Sequence, residues 1–488
     1  MKIKSLSVFC FILITLLMDA QPPYKFYTKY GGSGYDAGYS IKQTLDKGYI
    51  ITGSTSSFGQ GNSDLYLLKL DSMGVKQFET TFGGFDNEVG KSVVQLADSS
   101  FVILGYTSSF GFGGYDVFLV KADKNGQFIW QNTIGGNDWD FGNSLVKTSD
   151  GGFIIAGSTY NSLGYGNSDG YIVKTNSDGI VVWSKIFGGE NDDEFKSIIQ
   201  TKDGNFALAG NTKSYADPLG DAWIFKINEA GDSLKSYTYN IGLSDGFNDL
   251  KEANAGEIVT AGYFTLNSLQ KKDGIFTKID VNGVLTFELP DGQPGSDEEF
   301  FGVCNSNSSI GSYCVIGNSN ENGTTFKYDP KLILLNSAGY YIRGGTFGGN
   351  EDDEFFGVCT TSDASKGYIA VGYTKSYESN LSDCFIFKFD SLATAGNSII
   401  GINNIEEIRK SVSVFPNPFT NVINIKSYNF NYKFLEIITI QGEKVYSSIK
   451  IPNQNKIDLS FLESGIYFIN IMDDNNKKFT QKIIKYSN

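Results

Sequence analysis

Residues 135–187 read GGNDWDFGNSLVKTSDGGFIIAGSTYNSLGYGNSDGYIVKTNSDGIVVWSKIF. Four short apolar runs stand in this stretch: 144–148, 153–158, 171–175 and 180–187. They are rich in β-branched and aromatic side chains and bounded by Gly, Asp and Asn, which is the pattern of strands, not helices. Asp150-Gly151-Gly152 and Ser177-Asp178-Gly179 suit the tight turns between them, because Gly and Asx residues tolerate positive φ.

The unit recurs. Its opening glycine pair stands at Gly31-Gly32, Gly83-Gly84, Gly135-Gly136, Gly188-Gly189 and Gly348-Gly349, and two worn copies open near Gly242 and Gly295. Successive starts lie about 52 to 54 residues apart, which makes seven copies. Four strands in a period of ~50 residues is the signature of a β-propeller blade. The expected fold is all-β, a seven-bladed propeller over residues 21–395, followed by a linker at 396–410 and a small Ig-like β-sandwich at 411–488.

Closure of the ring is legible at the two ends of the repeat. The segment Tyr24–Tyr30 precedes the first glycine pair as Phe78–Phe82 precedes the second, so it is expected to be a fourth strand without its own blade. The seventh copy supplies three strands, near Phe355–Thr361, Tyr368–Tyr373 and Cys384–Phe389, and the N-terminal strand is expected to complete it. That arrangement removes open strand edges. The competing candidate for the last strand is Ser398–Ile402.

Composition excludes several kinds of chemistry. The chain of 488 residues has a formal charge of −14 and no histidine, which removes Ser-His-Asp and Cys-His nucleophiles and His-ligated metals. Arg343 and Arg409 are the only arginines, and no basic patch for nucleic acid is evident. No cofactor or metal is expected. The match of Gly166–Gly170 to G-x-S-x-G is discounted, since a nucleophile elbow needs a strand-to-helix turn and a His partner. Residues 1–20 have the form of a secretory signal, with Lys2 and Lys4 before an apolar core from Leu6 to Met18 and Ala20 at the cut. No later run is long enough to serve as a transmembrane anchor. Beyond the signal, Cys304, Cys314, Cys359 and Cys384 allow three pairings, with Cys304–Cys314 favoured by their adjacent strands and buried thiols as the alternative.

Two acidic positions repeat in every copy: Asp36, Glu88, Asp140, Asp193, Asp245, Glu298 and Asp353 after the glycine pair, and Asp64, Asp116, Asp169, Asp221, Asp273, Asp329 and Asp383 before the third strand. Such regularity favours carboxylates that fix loops by accepting backbone N–H groups. Binding is expected instead where the copies differ, in the loops between strands b and c and between d and a, which share one face of the ring. The candidates are Trp139 with its neighbours Asp138 and Asp140, and the loop aromatics Phe112, Tyr160, Tyr165 and Tyr215. Rings beside carboxylates suit a sugar, by stacking and by hydrogen bonds to its hydroxyls. The turns Asp123–Gly126 and Asn176–Gly179 resemble Asp-box hairpins, though with different spacing. With a single arginine in the propeller, the arginine-dependent sialidase activity of Asp-box glycosidases is not carried over.

After residue 410 the repeat stops. Val414-Phe415-Pro416-Asn417-Pro418 opens a new segment, with Leu462, Gly465 and Tyr467 in an L-x-x-G-x-Y element and Lys482 and Lys485 on the last strand-like run. This segment closely resembles the type A C-terminal sorting domain of the type IX secretion system of Bacteroidota. The resemblance implies Sec export, handling by the type IX machinery, and passage across the outer membrane to the medium or the cell surface. The function expected from the whole sequence is a non-catalytic binding or adhesion module, with an extracellular glycan or matrix protein as partner. A carbohydrate-active enzyme using paired carboxylates, which needs no His, and a structural cell-coat protein are the alternatives.

Overall fold

In the computed structural model the described residues are 25–160, 166–215, 217–253, 256–265, 271–292, 295–306, 312–320, 327–363, 366–377, 379, 381–392, 412–415, 419–427, 432–439, 443–448, 456–473 and 478–486. All 35 elements among them are β-strands. The signal segment, the competing strand Ser398–Ile402, Tyr165 and Pro416-Asn417-Pro418 lie outside the described residues.

Each four-strand copy folds onto itself in chain order. In the first, Asp36–Gln43, Tyr49–Thr55, Asp64–Leu70 and Lys76–Phe82 form one antiparallel sheet, and five further sheets follow the same order through Tyr341–Thr346. The seventh takes Asp353–Thr360, Tyr368–Thr374 and Asp383–Phe389 from the end of the repeat and Phe26–Tyr30 from its beginning. That strand runs antiparallel to Asp383–Phe389, with Tyr30 opposite Cys384 and Phe26 opposite Lys388. The innermost strand, a, of each blade packs on strand a of the next, and Asp353–Thr360 of the seventh packs on Asp36–Gln43 of the first. The ring is therefore closed, as expected.

The core lies between neighbouring blades. One cluster joins Ile50, Leu65 and Leu67 of the first blade to Phe101, Ile103 and Phe118 of the second, all buried. Strands b and c are buried nearly throughout, while the outer strand d is exposed or half-buried until its last residue.

Every a strand carries a β-bulge. The pairing with strand b slips between Gly38 and Ser40, and at the equivalent place in the six other blades. The residues passed over are Tyr39, Lys91, Asn143, Lys196, Asn248, Phe301 and Phe356, and all of them line the central channel. The glycine in the middle of each b strand makes the bulge possible. A Cβ on Gly157 would lie 1.8 Å from the carbonyl oxygen of Phe141.

Residues 412–485 form two packed sheets. One contains Val412–Phe415, Val422–Ser427 and Lys456–Asp458, and the other Lys444–Ser448, Tyr432–Thr439, Gly465–Asp473 and Lys478–Lys485. Val414, Ile423 and Ile425 of the first share a buried core with Leu435, Ile469 and Ile483 of the second, giving the expected sandwich.

Candidate functional site

The repeated acids build the upper loops. Asp36, Glu88, Asp140, Asp193, Asp245, Glu298 and Asp353 are all buried. In five blades the carboxylate accepts the N–H of the second glycine of the pair, at 2.7 to 2.8 Å. The first glycine is wedged between both acidic sets: a Cβ on Gly135 would lie 2.1 Å from Asp116 Oδ1 and 2.6 Å from Asp140 Oδ2. Asp140, a sequence candidate for ligand contact, is thus placed inside the loop as its fastener.

The structure brings Trp139 and Tyr160 together. Their ring centroids are 5.8 Å apart in an edge-on pair, and Trp139 also meets Tyr115 at 5.9 Å and Phe141 at 6.3 Å. Tyr106 sits beneath, 5.0 Å from Phe141 and 5.4 Å from Tyr115. Rings packed edge-to-face hold one another in place, yet Trp139 remains 49% and Tyr160 42% exposed. The loop of the second blade abuts this cluster, since Gly114 N–H donates to the Asp138 carbonyl at 3.3 Å. Phe112, in that same loop, is 90% exposed. Sequence reasoning missed Tyr115 and Phe141, which begin or flank strands and look there like ordinary strand residues.

Tyr215 belongs elsewhere. It packs on Trp223 at 5.9 Å, as Phe58 packs on Tyr66, Phe110 on Phe118 and Tyr377 on Phe385 in their own blades. Its hydroxyl donates to the Gly188 carbonyl. It is one instance of a repeated loop-to-strand contact, remote in sequence from the Trp139 cluster.

The central channel encloses about 1140 Å³. Three of the seven blades place a glutamate directly after the loop-fixing acid: Glu194, Glu299 and Glu354. Glu194 pairs with Lys196 at 2.5 Å and accepts from Asn143 Nδ2 at 3.0 Å. Glu299 pairs with Lys272 at 2.6 Å and accepts from Asn248 Nδ2 at 2.9 Å. Glu354 accepts from Tyr373 Oη at 2.7 Å and Asn318 Nδ2 at 2.9 Å. Burial raises the pKa of Glu354, with Asp352 and Glu299 adding to the rise against the Tyr373 hydrogen bond and Lys375. Glu299 and Glu354 share a side cavity of about 190 Å³ with Tyr328, whose hydroxyl donates to Asp297 at 2.8 Å. None of these channel residues was singled out in the sequence. The available signal was variation at fixed offsets within an otherwise repeated strand.

Cys304 and Cys314 stand directly opposite one another on paired strands, and all four described cysteines are free thiols. Burial and the neighbouring Cys304 hold the Cys314 thiol well above its usual range.

In the sandwich, Leu462 and Tyr467 are core residues, and the Tyr467 hydroxyl donates to the Glu463 carbonyl at 2.9 Å. Gly465 opens its strand opposite Lys485. Lys485 is itself buried, its ammonium donating to the carbonyls of Leu459 at 2.7 Å and Ser460 at 2.9 Å. Lys482 pairs with Phe468 in the backbone ladder. No helix among the described residues is long and apolar enough to cross a membrane.

Comparison with known proteins bears on both parts. The chain is 28% identical over 204 residues to the regulatory protein FlaEY of Caulobacter vibrioides, a match covering 35% of this chain and 21% of that protein. The chain thus spans about a fifth of that relative's length. Solved structures similar to it include the extracellular domain of BT4673 from B. thetaiotaomicron, at 13% identity and a TM-score of 0.45, over 93% of this chain and 56% of that one. The WD40 domain of Neurospora crassa Pan2 aligns at 11% identity and a TM-score of 0.46, over 75% of this chain and 96% of that one. Residues 413–486 match the family described as the secretion system C-terminal sorting domain. The β-sandwich is therefore a sorting domain, and the protein that carries it is one secreted by the type IX system to the cell surface or the extracellular space.

Proposed function

We propose that the protein is a non-catalytic binding module of the cell surface or medium, whose propeller takes an extracellular glycan or matrix protein on its upper loop face. In this reading residues 1–20 direct Sec export from a member of the Bacteroidota, residues 21–395 bind, and residues 396–410 link the propeller to its address. The observation that supports it is the exposed pair of Trp139 and Tyr160, packed against Tyr115 and Phe141, with Asp138 next in sequence and the exposed Phe112 in the loop that abuts it. Pre-set aromatic faces stack on sugar rings at little entropic cost. A glycan and matrix-protein screen on the secreted chain tests this. Truncating an aromatic anchor typically costs ~2 kcal/mol or more, so Trp139→Ala is expected to weaken the ligand at least about tenfold without unfolding the ring. Unchanged affinity in the Trp139→Ala/Tyr160→Ala double variant would contradict this placement.

A second reading, a carbohydrate-active enzyme, draws support from the Glu299–Glu354 cavity. Burial raises the pKa of Glu354, while Glu299 is ion-paired with Lys272 at 2.6 Å, so the two carboxyls sit in different environments. That division suits an acid and a base or nucleophile. If glycan cleavage is detected, Glu354→Gln should abolish it in a folded protein; residual full activity would remove Glu354 from the chemistry.

A further inference from the structure

The bulged position that repeats around the channel is divided chemically. Blades six, seven and one place Phe301, Phe356 and Tyr39 there, whereas blades two and four place Lys91 and Lys196. The rings form a continuous arc: Phe301 and Phe356 are 5.5 Å apart and edge-on, and Phe356 and Tyr39 are 5.1 Å apart. Lys91 Nζ lies 4.4 Å from the centre of the Tyr39 ring, so the amine arc begins where the aromatic arc ends. A side chain required to build each blade would be the same in all of them, as the loop-fixing acids nearly are; these are not.

Several lysines line the channel, and Lys91 is the one that meets the aromatic arc. Lys196 is paired with Glu194 at 2.5 Å, Lys251 with Asp249 at 2.9 Å and Lys272 with Glu299 at 2.6 Å. Among the described residues Lys42, Lys91 and Lys147, which also line the channel, make no ion pair, and of the three Lys91 alone stands over an aromatic ring, that of Tyr39. Burial in the channel wall, and Lys196 nearby, lower its pKa to about 8, which leaves it mostly protonated at neutral pH. Asn143 next to it spends both amide hydrogens, on Glu194 and on the Phe195 carbonyl at 2.9 Å, so what it offers a ligand is a carbonyl acceptor. One ammonium at the edge of the aromatic arc, without arginine beside it, suits a monoanion better than a phosphate, which guanidinium forks or several N–H groups hold more strongly.

We propose that the central channel is a binding site for a small hydroxylated carboxylate with one flat apolar face. Its carboxylate rests on Lys91, its face lies against Tyr39 and Phe356, and its hydroxyls donate to Asn143. Two kinds of compound carry this chemistry, sugar acids and hydroxylated aromatic acids. The site is separate from the Trp139 patch on the loop face.

Calorimetric titration of the full secreted chain with D-glucuronate, 4-hydroxybenzoate and the neutral D-glucose tests the proposal. At least one acid is expected to bind, with D-glucose at least tenfold weaker, and which acid binds identifies the source. Lys91→Met should weaken that acid at least tenfold, Phe356→Leu several-fold, and Trp139→Ala not at all. Should Lys91→Met fail to fold, Lys91→Gln is expected to show the same loss. Failure of both acids to bind, equal binding of D-glucose, or unchanged affinity in the folded Lys91 variant would overturn the proposal. A loss of outer-face glycan binding in Trp139→Ala would stand apart from all of these outcomes.

Discussion

At the scale of single residues, the chain uses carboxylates as internal fasteners. Gly135 has no room for a side chain between Asp116 and Asp140. Gly135→Ala is therefore expected to lower stability by ~1–3 kcal/mol, read as a drop of several degrees in the melting temperature; an unchanged melt would mean the loop yields freely. Asp245 shows the cost of such burial. Its Oδ2 accepts from Ile241 N–H at 2.8 Å and Gly242 N–H at 3.1 Å, while Oδ1 is buried without a hydrogen bond. Burial raises its pKa to about 6 against those hydrogen bonds, with Asp221 and Asp217 adding to the rise. Between the ordinary carboxylate pKa and about 6 the folded state holds more proton than the unfolded one, so this group's contribution to stability falls as pH rises through that window. Asp245→Asn keeps an acceptor and removes the charge. The variant should be more stable than the parent at pH 8, by on the order of 1–3 kcal/mol, and the gap should close below pH ~4. A gap of the same size at both pH values would contradict the assignment. These fasteners were legible in the sequence because they recur at fixed offsets. Trp139 was legible because it does not recur. Lys91 and Phe356 were not, because a bulge interrupts the alternation by which inward and outward positions are told apart.

At the scale of elements, strand number and order followed from Gly- and Asx-bounded runs, and the N-terminal strand followed from its place before the first glycine pair. Phe26 and Tyr30 flank a strand whose partners all come from the far end of the repeat, from Lys388 to Cys384. Such a strand locks the ring only when the last blade is made. Deletion of residues 21–30 is expected to destabilise the whole propeller and broaden its thermal transition. A soluble deletion variant with a cooperative, near-native melt would show that closure contributes little. In the sandwich, Lys444–Ser448 and Lys456–Asp458 escaped the sequence reading. Both are short and carry more polar than apolar side chains, so their strand character comes from pairing with Leu435–Ile438 and Val422–Asn424. The motif residues Leu462, Tyr467 and Lys485 are parts of that sandwich's interior. They shape the domain.

At the scale of the whole molecule, the closed ring is one rigid frame for the two proposed ligand surfaces, the aromatic patch on the loop face and the channel, and the sorting domain belongs to the protein's export. The address was legible because its short elements fall together at the end of the chain. The ligands were not, because loops and bulges vary without a repeat against which to read them. The most direct test of the account compares full-length protein with a chain ending at Lys410, both expressed in a host with a type IX system and followed by fractionation and thermal melting. The account predicts the full-length protein at the surface or in the medium, and the shortened one folded but held in the periplasm. Arrival of the shortened chain outside the cell at the full-length level would contradict it.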